Sequence, residues 1–169
     1  MNKYLKYLKY VIKHKFYVGY FCFQEGLYIR GIFHDMHKFR WFPFKAYANY
    51  FYGDKKVEGN SPTGYSKPIK THDTDFDKAW LFHQKTQKHH WQFWILQEDD
   101  GNIKHIPMDE QYWKEMIADW QGASIATGKS NFRTYKENTR DWYLAHKHII
   151  QLNPYTRAQV EKTLGIYFT

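Results

Sequence analysis

Apolar side chains recur at three- and four-residue spacing along residues 3–28, with lysines on the opposite face. This is the pattern of an amphipathic helix, and we therefore expect one long first helix with a candidate bend at Gly19. The same spacing places His14 on the side of Val11 and Val18, so its imidazole should point partly toward the core. A histidine in this position is either a hydrogen-bonded packing residue or a ligand.

Two more helices and a long connection are predicted in the next part of the chain. Pro43 suits the start of a helix that extends to about Phe51 and stops at Gly53. Residues 53–75 contain three glycines, two prolines and four lysines, which predicts a long basic loop that is either a cationic lid or surface disorder. Helical periodicity then resumes at Asp75, a candidate N-cap, and continues to about Leu96.

The remainder predicts one hairpin followed by three helices. The hairpin occupies about residues 96–107 around Asp100-Gly101, a strong turn signal. The helices follow from Pro107 and Asp109 onward, from about Thr134 to Ile150 and from about Thr156 to Leu164. The prediction is therefore a single all-α domain over residues 1–169, a helical bundle with one small β-hairpin.

Composition bounds the class of partner and the setting. The chain has a net charge of +8, a pI near 9.3, 15 Tyr, 13 Phe and 7 Trp. Basic and aromatic side chains together suit a nucleotide or another phosphate-bearing small molecule, with nucleic acid as a weaker alternative. Core packing of the rings and solubility are the competing explanations. With Cys22 as the single cysteine and no apolar run of membrane-spanning length, we expect a cytoplasmic protein that does not enter a membrane.

The chain contains ten histidines in 169 residues, and most of them lie near other candidate metal ligands in the sequence. In chain order the candidates are His14, His34-Asp35, His83, His89-His90 and Asp119. Neutral imidazole nitrogens and carboxylate oxygens bind divalent transition metals, so the pattern predicts a site for one or two ions of Fe, Mn, Zn, Ni or Co.

The second histidine group presents a geometric problem. His83 and His90 lie about 20 degrees apart around an ideal helix and share a face, whereas His89 lies well around the helix from both. One straight helix cannot direct all three imidazoles to one atom. Either a second metal, a bridging group or a distorted helix is needed.

The ligand order resembles the HD superfamily of metal-dependent phosphohydrolases, in which a histidine, a His-Asp pair and a distant aspartate surround a metal. The stretch His34-Asp35-Met36-His37-Lys38 is similar to the His-Asp-x-Gly-Lys motif of the two-metal HD-GYP branch, with His37 in the place of glycine. The Gly-Tyr-Pro signature of that branch is absent, and His83 lies closer to His89 than the corresponding residues do there.

Nearly the whole chain resembles a small, largely uncharacterised HD-like family of bacteria and their phages. The similar segments are KYLKYVIKHK, GLYIRGIFHDMHKF, YANYFYG, WLFHQKTQKHHWQFWIL, EMIADW and NPYTRAQVEKTLG. This resemblance implies an HD-like helical bundle with a metal site, in a bacterial cell or in an infected host cell. It implies no particular activity.

The resemblance and the residues together assign expected roles. His14, His34, Asp35 and Asp119 are expected to form the primary metal site, and His83, His89 and His90 to bind a second ion or orient the substrate. Asp35 and Lys38 are the expected catalytic pair, with Lys38 neutralising charge on a phosphoryl group. Glu115 is expected either as an outer partner of a histidine or as a ligand, and Arg133 and Arg140 as residues that contact a substrate phosphate.

The expected function is metal-dependent hydrolysis of a nucleotide, either a monophosphate or a cyclic nucleotide or dinucleotide phosphodiester. Two alternatives remain at this stage. The first is a non-catalytic nucleotide- or nucleic-acid-binding protein, and the second is a di-iron oxygenase of HD-like fold. Two residues also have a non-functional interpretation. Lys38 is then a solvated lysine at a helix end, and Glu115 is a neighbour of Asp119 on the same helix face.

Overall fold

Seven α-helices and one short hairpin make up the part of the chain that the computed structural model describes, residues 2–53 and 74–166. The helices are α1 (Lys3–Gln24), α2 (Tyr28–Phe33), α3 (Trp41–Tyr52), α4 (Thr74–Thr86), α5 (Glu110–Ala126), α6 (Tyr135–His146) and α7 (Pro154–Thr163). The strands are β1 (Ile95–Gln97) and β2 (Ile103–His105), and single 3-10 turns occupy Met36–Phe39 and Trp91–Trp94. The all-α prediction with one hairpin is confirmed. The predicted basic loop at 53–75 lies almost wholly outside the described residues.

The first helix is shorter than its apolar pattern predicts. It starts at an N-cap, where the side chain of Asn2 accepts a hydrogen bond from the backbone of Tyr4. It ends at Gln24 because Gly26 adopts a left-handed conformation, with φ of 73°, and the amide of Leu27 bonds back to the carbonyl of Cys22. The chain therefore turns at Gly26 and not at Gly19, and α2 packs back against α1.

The buried apolar side chains form three hydrophobic cores along α1 and α5. The first joins the amino-terminal half of α1 to α3 and α4: Tyr7, Val11, Ala46, Tyr47, Ala48, Tyr50, Phe51, Phe76 and Ala79. The second joins the rest of α1 to α5: Val18, Phe21, Cys22, Ala118 and Ile125. The third joins α5 to α6 and α7: Met108, Tyr112, Trp113, Met116, Ile117, Tyr143, Ile150, Leu152 and Val160. Helices α1 and α5 are thus shared by neighbouring hydrophobic cores and hold the described elements together.

The predicted helix over residues 75–96 is wrong in its second half. Helix α4 ends at Thr86, a turn follows in which the amide of His90 bonds to the carbonyl of Gln87, and a 3-10 turn begins at Trp91. The side chains of Trp91 and Trp94 pack against the third hydrophobic core, and the indole of Trp94 donates to the carbonyl of Lys88. These tertiary contacts override the local helical pattern.

The hairpin is confirmed, although its turn is one residue longer than Asp100-Gly101 suggests. Ile95 pairs with His105 and Gln97 with Ile103. The amide of Gly101 bonds to the carbonyl of Glu98, and Gly101 has φ of 86°, which is the geometry of a three-residue turn with glycine at the left-handed position.

The last two helices differ only at their ends from the prediction. Helix α6 ends at His146 instead of Ile150, and α7 begins at Pro154 behind the N-cap residue Asn153. The side-chain amide of Asn153 also donates to the carbonyl of His105, which fixes the hairpin to the start of α7. Within the described residues, no helix has the combination of length and apolar character that crossing a bilayer requires.

Helix α5 lies directly against α1 at Gly122. A Cβ atom at this position would lie 2.5 Å from Cγ2 of Val18 and 2.9 Å from its backbone nitrogen. Such distances are shorter than any van der Waals contact, and a backbone atom cannot rotate away. A glycine is therefore required where the two helices cross.

Replacement of Gly122 by alanine should lower the free energy of unfolding by about 1–3 kcal/mol, because the added methyl group overpacks the helix crossing. Urea denaturation followed by circular dichroism measures this change. The matched control is Gly19→Ala on α1, where the new Cβ would meet its nearest atom at an ordinary 3.5 Å and should be neutral or stabilising by about 0.5–1 kcal/mol. Equal stabilities of the two variants would contradict the assignment of Gly122.

Candidate metal centre

The His34-Asp35 pair lies at the carboxyl end of α2, where the chain changes direction. His34 is extended, with φ of −49° and ψ of 125°, and Asp35 adopts the left-handed conformation, with φ of 55° and ψ of 21°. Asp35 is the one non-glycine residue with positive φ among those described. This conformation costs a non-glycine residue roughly 1–2 kcal/mol, although aspartate tolerates it better than most. The turn lets two consecutive side chains point into the same buried space, where each is at most 2% exposed.

Lys15 holds this turn from the neighbouring helix. Its ammonium group donates to the carbonyl oxygens of Ile32 and His34, which satisfies carbonyls that α2 leaves unpaired at its end. Burial lowers the pKa of Lys15, and the charge of Asp35 partly opposes this effect. Lys15 is a positioning residue that the sequence patterns did not reveal.

Four side chains from α1, the α2 turn and α5 converge on one point and form what we call the first cluster: His14, His34, Asp35 and Asp119. Nε2 of His14 lies 3.0 Å from Oδ1 of Asp119 and 3.8 Å from Oδ2 of Asp35. Nε2 of His34 lies 3.4 Å from Oδ2 of Asp35 and 3.5 Å from Oδ1 of Asp119. The predicted primary ligands are thus brought together.

These separations fit a shared cation better than a hydrogen-bond network. Donors at about 2.0–2.2 Å from one ion lie about 3.0 Å apart at right angles and about 3.4 Å apart in a tetrahedral arrangement. The Nε2 atoms of His14 and His34 are buried, and within the described part of the chain neither makes a hydrogen bond of acceptable geometry. Buried polar atoms are normally paired, so the donor set fits a metal ion.

The charges of the first cluster are balanced within the protein. Burial raises the pKa of Asp35, but His34 and Lys38 outweigh it and hold that pKa well below its usual range. Asp119 behaves in the same way beside His14 and His34. Burial lowers the pKa of His34, but the nearby carboxylates outweigh this and raise it to about 10. The carboxylates therefore favour positive charge where the donors converge, and a bound metal ion would displace the proton that this pKa places on Nε2 of His34.

His83, His89 and His90, which we call the second cluster, come together because α4 ends early. His83 lies on the last turns of α4, whereas His89 and His90 follow the turn that begins at Gln87. Donor atoms of all three imidazoles lie within 4.8 Å of one another. The helix thus ends before the second and third histidines, and this resolves the difficulty of directing three imidazoles from one straight helix to one atom.

His37 joins this cluster although the sequence predictions did not include it. Its Nε2 lies 2.8 Å from Nδ1 of His83, and both histidines and Asp35 offer donors within 4.8 Å of one another. Burial lowers the pKa of His37 to about 4 and that of His90 to about 3, and it also lowers the pKa of His83. These imidazoles are therefore neutral near pH 7, which is the form that binds metal ions. The position of His37, two residues after Asp35, is the sequence signal that could have identified it as a candidate ligand.

Glu115 connects the two clusters from outside. Its Oε1 lies 3.0 Å from Nδ1 of His34 and 3.3 Å from Nδ1 of His89, and its Oε2 accepts a hydrogen bond of 2.7 Å from Arg30. An ionised carboxylate can only accept, so it favours a proton on both Nδ1 atoms and leaves each Nε2 lone pair directed into the site. The pKa of Glu115 is lowered, because hydrogen bonds from His34 and His89 outweigh the effect of burial. His34, His89 and Glu115 also offer donors close enough to hold an ion themselves.

The remaining predicted residues lie in different surroundings. The ammonium group of Lys38 contacts Oδ2 of Asp35, so this lysine lies at the edge of the first cluster. Arg133 is exposed between α5 and α6, and Arg140 is exposed on α6 beside Asp141, 3.3 Å away. The roles of Lys38, Arg133 and Arg140 toward a substrate phosphate stay predictions.

Fold and site together define an all-α domain with buried histidine and carboxylate clusters that could hold metal ions. Comparison with protein families matches residues 3–166 to a family of unknown function (DUF5662), and the chain belongs to this family. Comparison with curated proteins gives no match. Comparison with solved structures gives none either.

Replacement of Glu115 by glutamine should weaken metal binding by about 10–100-fold, as expected when an outer partner of ligating histidines is lost. The side-chain amide has one oxygen and cannot accept hydrogen bonds from His34, His89 and Arg30 together, so at least one of these three side chains loses the contact that orients it. Competition with a chelator for Mn²⁺ or Zn²⁺ measures the affinity. Glu110→Gln is the matched control, because Glu110 lies on the same helix, is exposed, and pairs with Lys114. Wild-type affinity in Glu115→Gln would contradict this role.

Proposed function

We propose that this protein is an HD-like metal-dependent phosphohydrolase that acts on a nucleotide. The single observation that carries the proposal is the convergence of His14, His34, Asp35 and Asp119 at separations of 3.0–3.8 Å. The order of these residues in the chain is the order expected from the HD resemblance. Mononuclear or dinuclear sites of histidine and carboxylate donors are well suited to hydrolysis of phosphate esters.

The proposed division of labour follows from the surroundings of each group. A divalent ion held by such donors supplies activation of water and neutralisation of phosphoryl charge. His14, His34, Asp35 and Asp119 would hold the ion, and Glu115 and Lys15 keep the ligating residues in place. Lys38, in contact with Asp35 at the edge of the cluster, provides a positive charge for the phosphoryl group of the substrate. The enclosing side chains limit the access of bulk water, which strengthens these charge interactions.

A nucleotide is the proposed substrate class because the chain combines basic and aromatic side chains. Several exposed rings flank the site in sequence, among them Phe33, Phe39 and Trp41. Arg40 lies between Phe39 and Trp41 and is also exposed. Aromatic faces stack on bases and guanidinium groups pair with phosphates, so these exposed side chains near the His34-Asp35 turn in sequence support a nucleotide as the substrate class.

The proposal is tested with protein purified without chelator and loaded with Mn²⁺, Fe²⁺ or Zn²⁺. Asp119→Asn should retain the fold, lose most bound metal and lose hydrolysis by more than about 100-fold, since even an outer partner is worth about 10–100-fold. Elemental analysis measures the metal. Phosphate release from nucleoside monophosphates, ring opening of cyclic nucleotides and nitrophenol release from nitrophenyl phosphate esters measure the reaction. His148→Ala, which replaces an exposed histidine, is the control and should match the wild type.

The same samples separate the alternative functions. Metal content well below one equivalent in the wild type, unchanged by supplementation, would refute the proposal. Tight nucleotide binding without turnover would identify a binding protein. Oxygen consumption by the iron-loaded protein, without phosphate release, would identify an oxygenase.

A further inference from the structure

We infer that His37 is a ligand of a second metal ion, bound between Asp35, His37 and His83 and adjacent to the first cluster. The inference rests on the proposed function, since it adds an ion to the same centre. It adds a ligand to the expected set, in which His83, His89 and His90 bind a second ion or orient the substrate. His37 stands where the resembling motif has glycine, so this ligand is a property of this chain.

The donor atoms carry the inference. Nε2 of His37 and Nδ1 of His83 lie 2.8 Å apart and share a hydrogen bond, which an ion bound between them would replace. Nδ1 of His83 lies 3.7 Å from Oδ1 of Asp35. The separations lie near those expected for neighbouring donors around one ion at about 2.0–2.2 Å. His83 is fully buried and Asp35 is 1% exposed, so any charge placed here is shielded from water and must be balanced locally.

Asp35 faces both positions. Its Oδ2 belongs to the first cluster, 3.4 Å from Nε2 of His34. Its Oδ1 points toward the histidines of the second position, 3.7 Å from Nδ1 of His83 and 3.6 Å from Nε2 of His89. Among the described residues this Oδ1 atom accepts no hydrogen bond. An unpaired, buried carboxylate oxygen that faces imidazole nitrogens is a site for a cation.

The 3-10 turn after Asp35 explains how His37 reaches this position. Asp35 adopts the left-handed conformation, and the turn Met36–Phe39 follows directly. Met36 is 47% exposed, whereas His37 is directed back toward α4, where its ring centroid lies 4.7 Å from that of His83. The strained turn therefore places Asp35 and His37 on the same side of the chain.

The test measures metal stoichiometry independently of turnover. Wild-type protein dialysed against excess Mn²⁺ should retain about two equivalents, and His37→Ala about one. Electron paramagnetic resonance should show a spin-coupled pair of Mn²⁺ ions in the wild type and an isolated ion in His37→Ala. His37→Glu, which keeps a ligand atom at similar reach, should restore the second equivalent. Met36→Ala, at the exposed neighbouring position, should behave as the wild type.

The outcomes distinguish this inference from the proposed function. Two equivalents in folded His37→Ala, with the coupled signal retained, would overturn the role of His37. A wild-type protein with one equivalent would overturn the second site and leave a mononuclear phosphohydrolase intact. Two equivalents without hydrolysis of any tested phosphate ester would support the second site and refute the proposed function. Circular dichroism and retention of the first equivalent confirm that each variant is folded.

Discussion

The removal of two carboxylates from water, Asp35 completely and Asp119 for the most part, is the constraint on which the rest of the structure depends. Burial of an ionised carboxylate is costly unless positive charge or hydrogen-bond donors accompany it. The protein responds with histidines from three separate segments and with Lys38 in contact with Asp35. Each of these segments must dock correctly before the charges are balanced, so formation of the site and formation of the tertiary structure are coupled.

Helices α1 and α5 meet this constraint by crossing at close range. Val18 packs directly on Gly122 at the crossing, one turn away from His14 on α1 and from Asp119 on α5. The second cluster is assembled differently, from a helix end and a following turn. Two of the four residues of the first cluster, His14 and Asp119, therefore lie on the two crossing helices, whereas the second cluster depends on how Trp91 and Trp94 pack after α4.

Much of the fold was predictable because its helices carry strong periodic patterns and clear end signals. Asn153-Pro154 marks the start of α7, and Gly53 marks the end of α3. The order of ligands from His14 to Asp119 was also visible, since imidazoles and carboxylates are uncommon at such positions. Nothing local marked Thr86 as a helix end, because the residues that follow it contain no glycine or proline and the chain turns there through tertiary packing.

The parts of the site that sequence did not reveal depend on contacts across long separations. Lys15 donates to the carbonyl of His34, and Arg30 donates to the carboxylate of Glu115. Neither residue belongs to a local pattern, because its partners lie far away in the chain. The left-handed conformation of Asp35 was equally hidden, since aspartate is compatible with several backbone conformations and glycine would have been the clear signal.

The glycine at the helix crossing also has a consequence for ion selection. The distance between α1 and α5 at Gly122 determines how far His14 and Asp119 stand apart, because each lies one turn from the crossing. Their donor atoms are 3.0 Å apart, a separation that fits neighbouring donors around a first-row transition metal, and the imidazole nitrogen favours such a metal over Ca²⁺, which takes oxygen ligands. The packing of two apolar helix surfaces thus sets the spacing of two candidate ligands, although neither Val18 nor Gly122 is one of them.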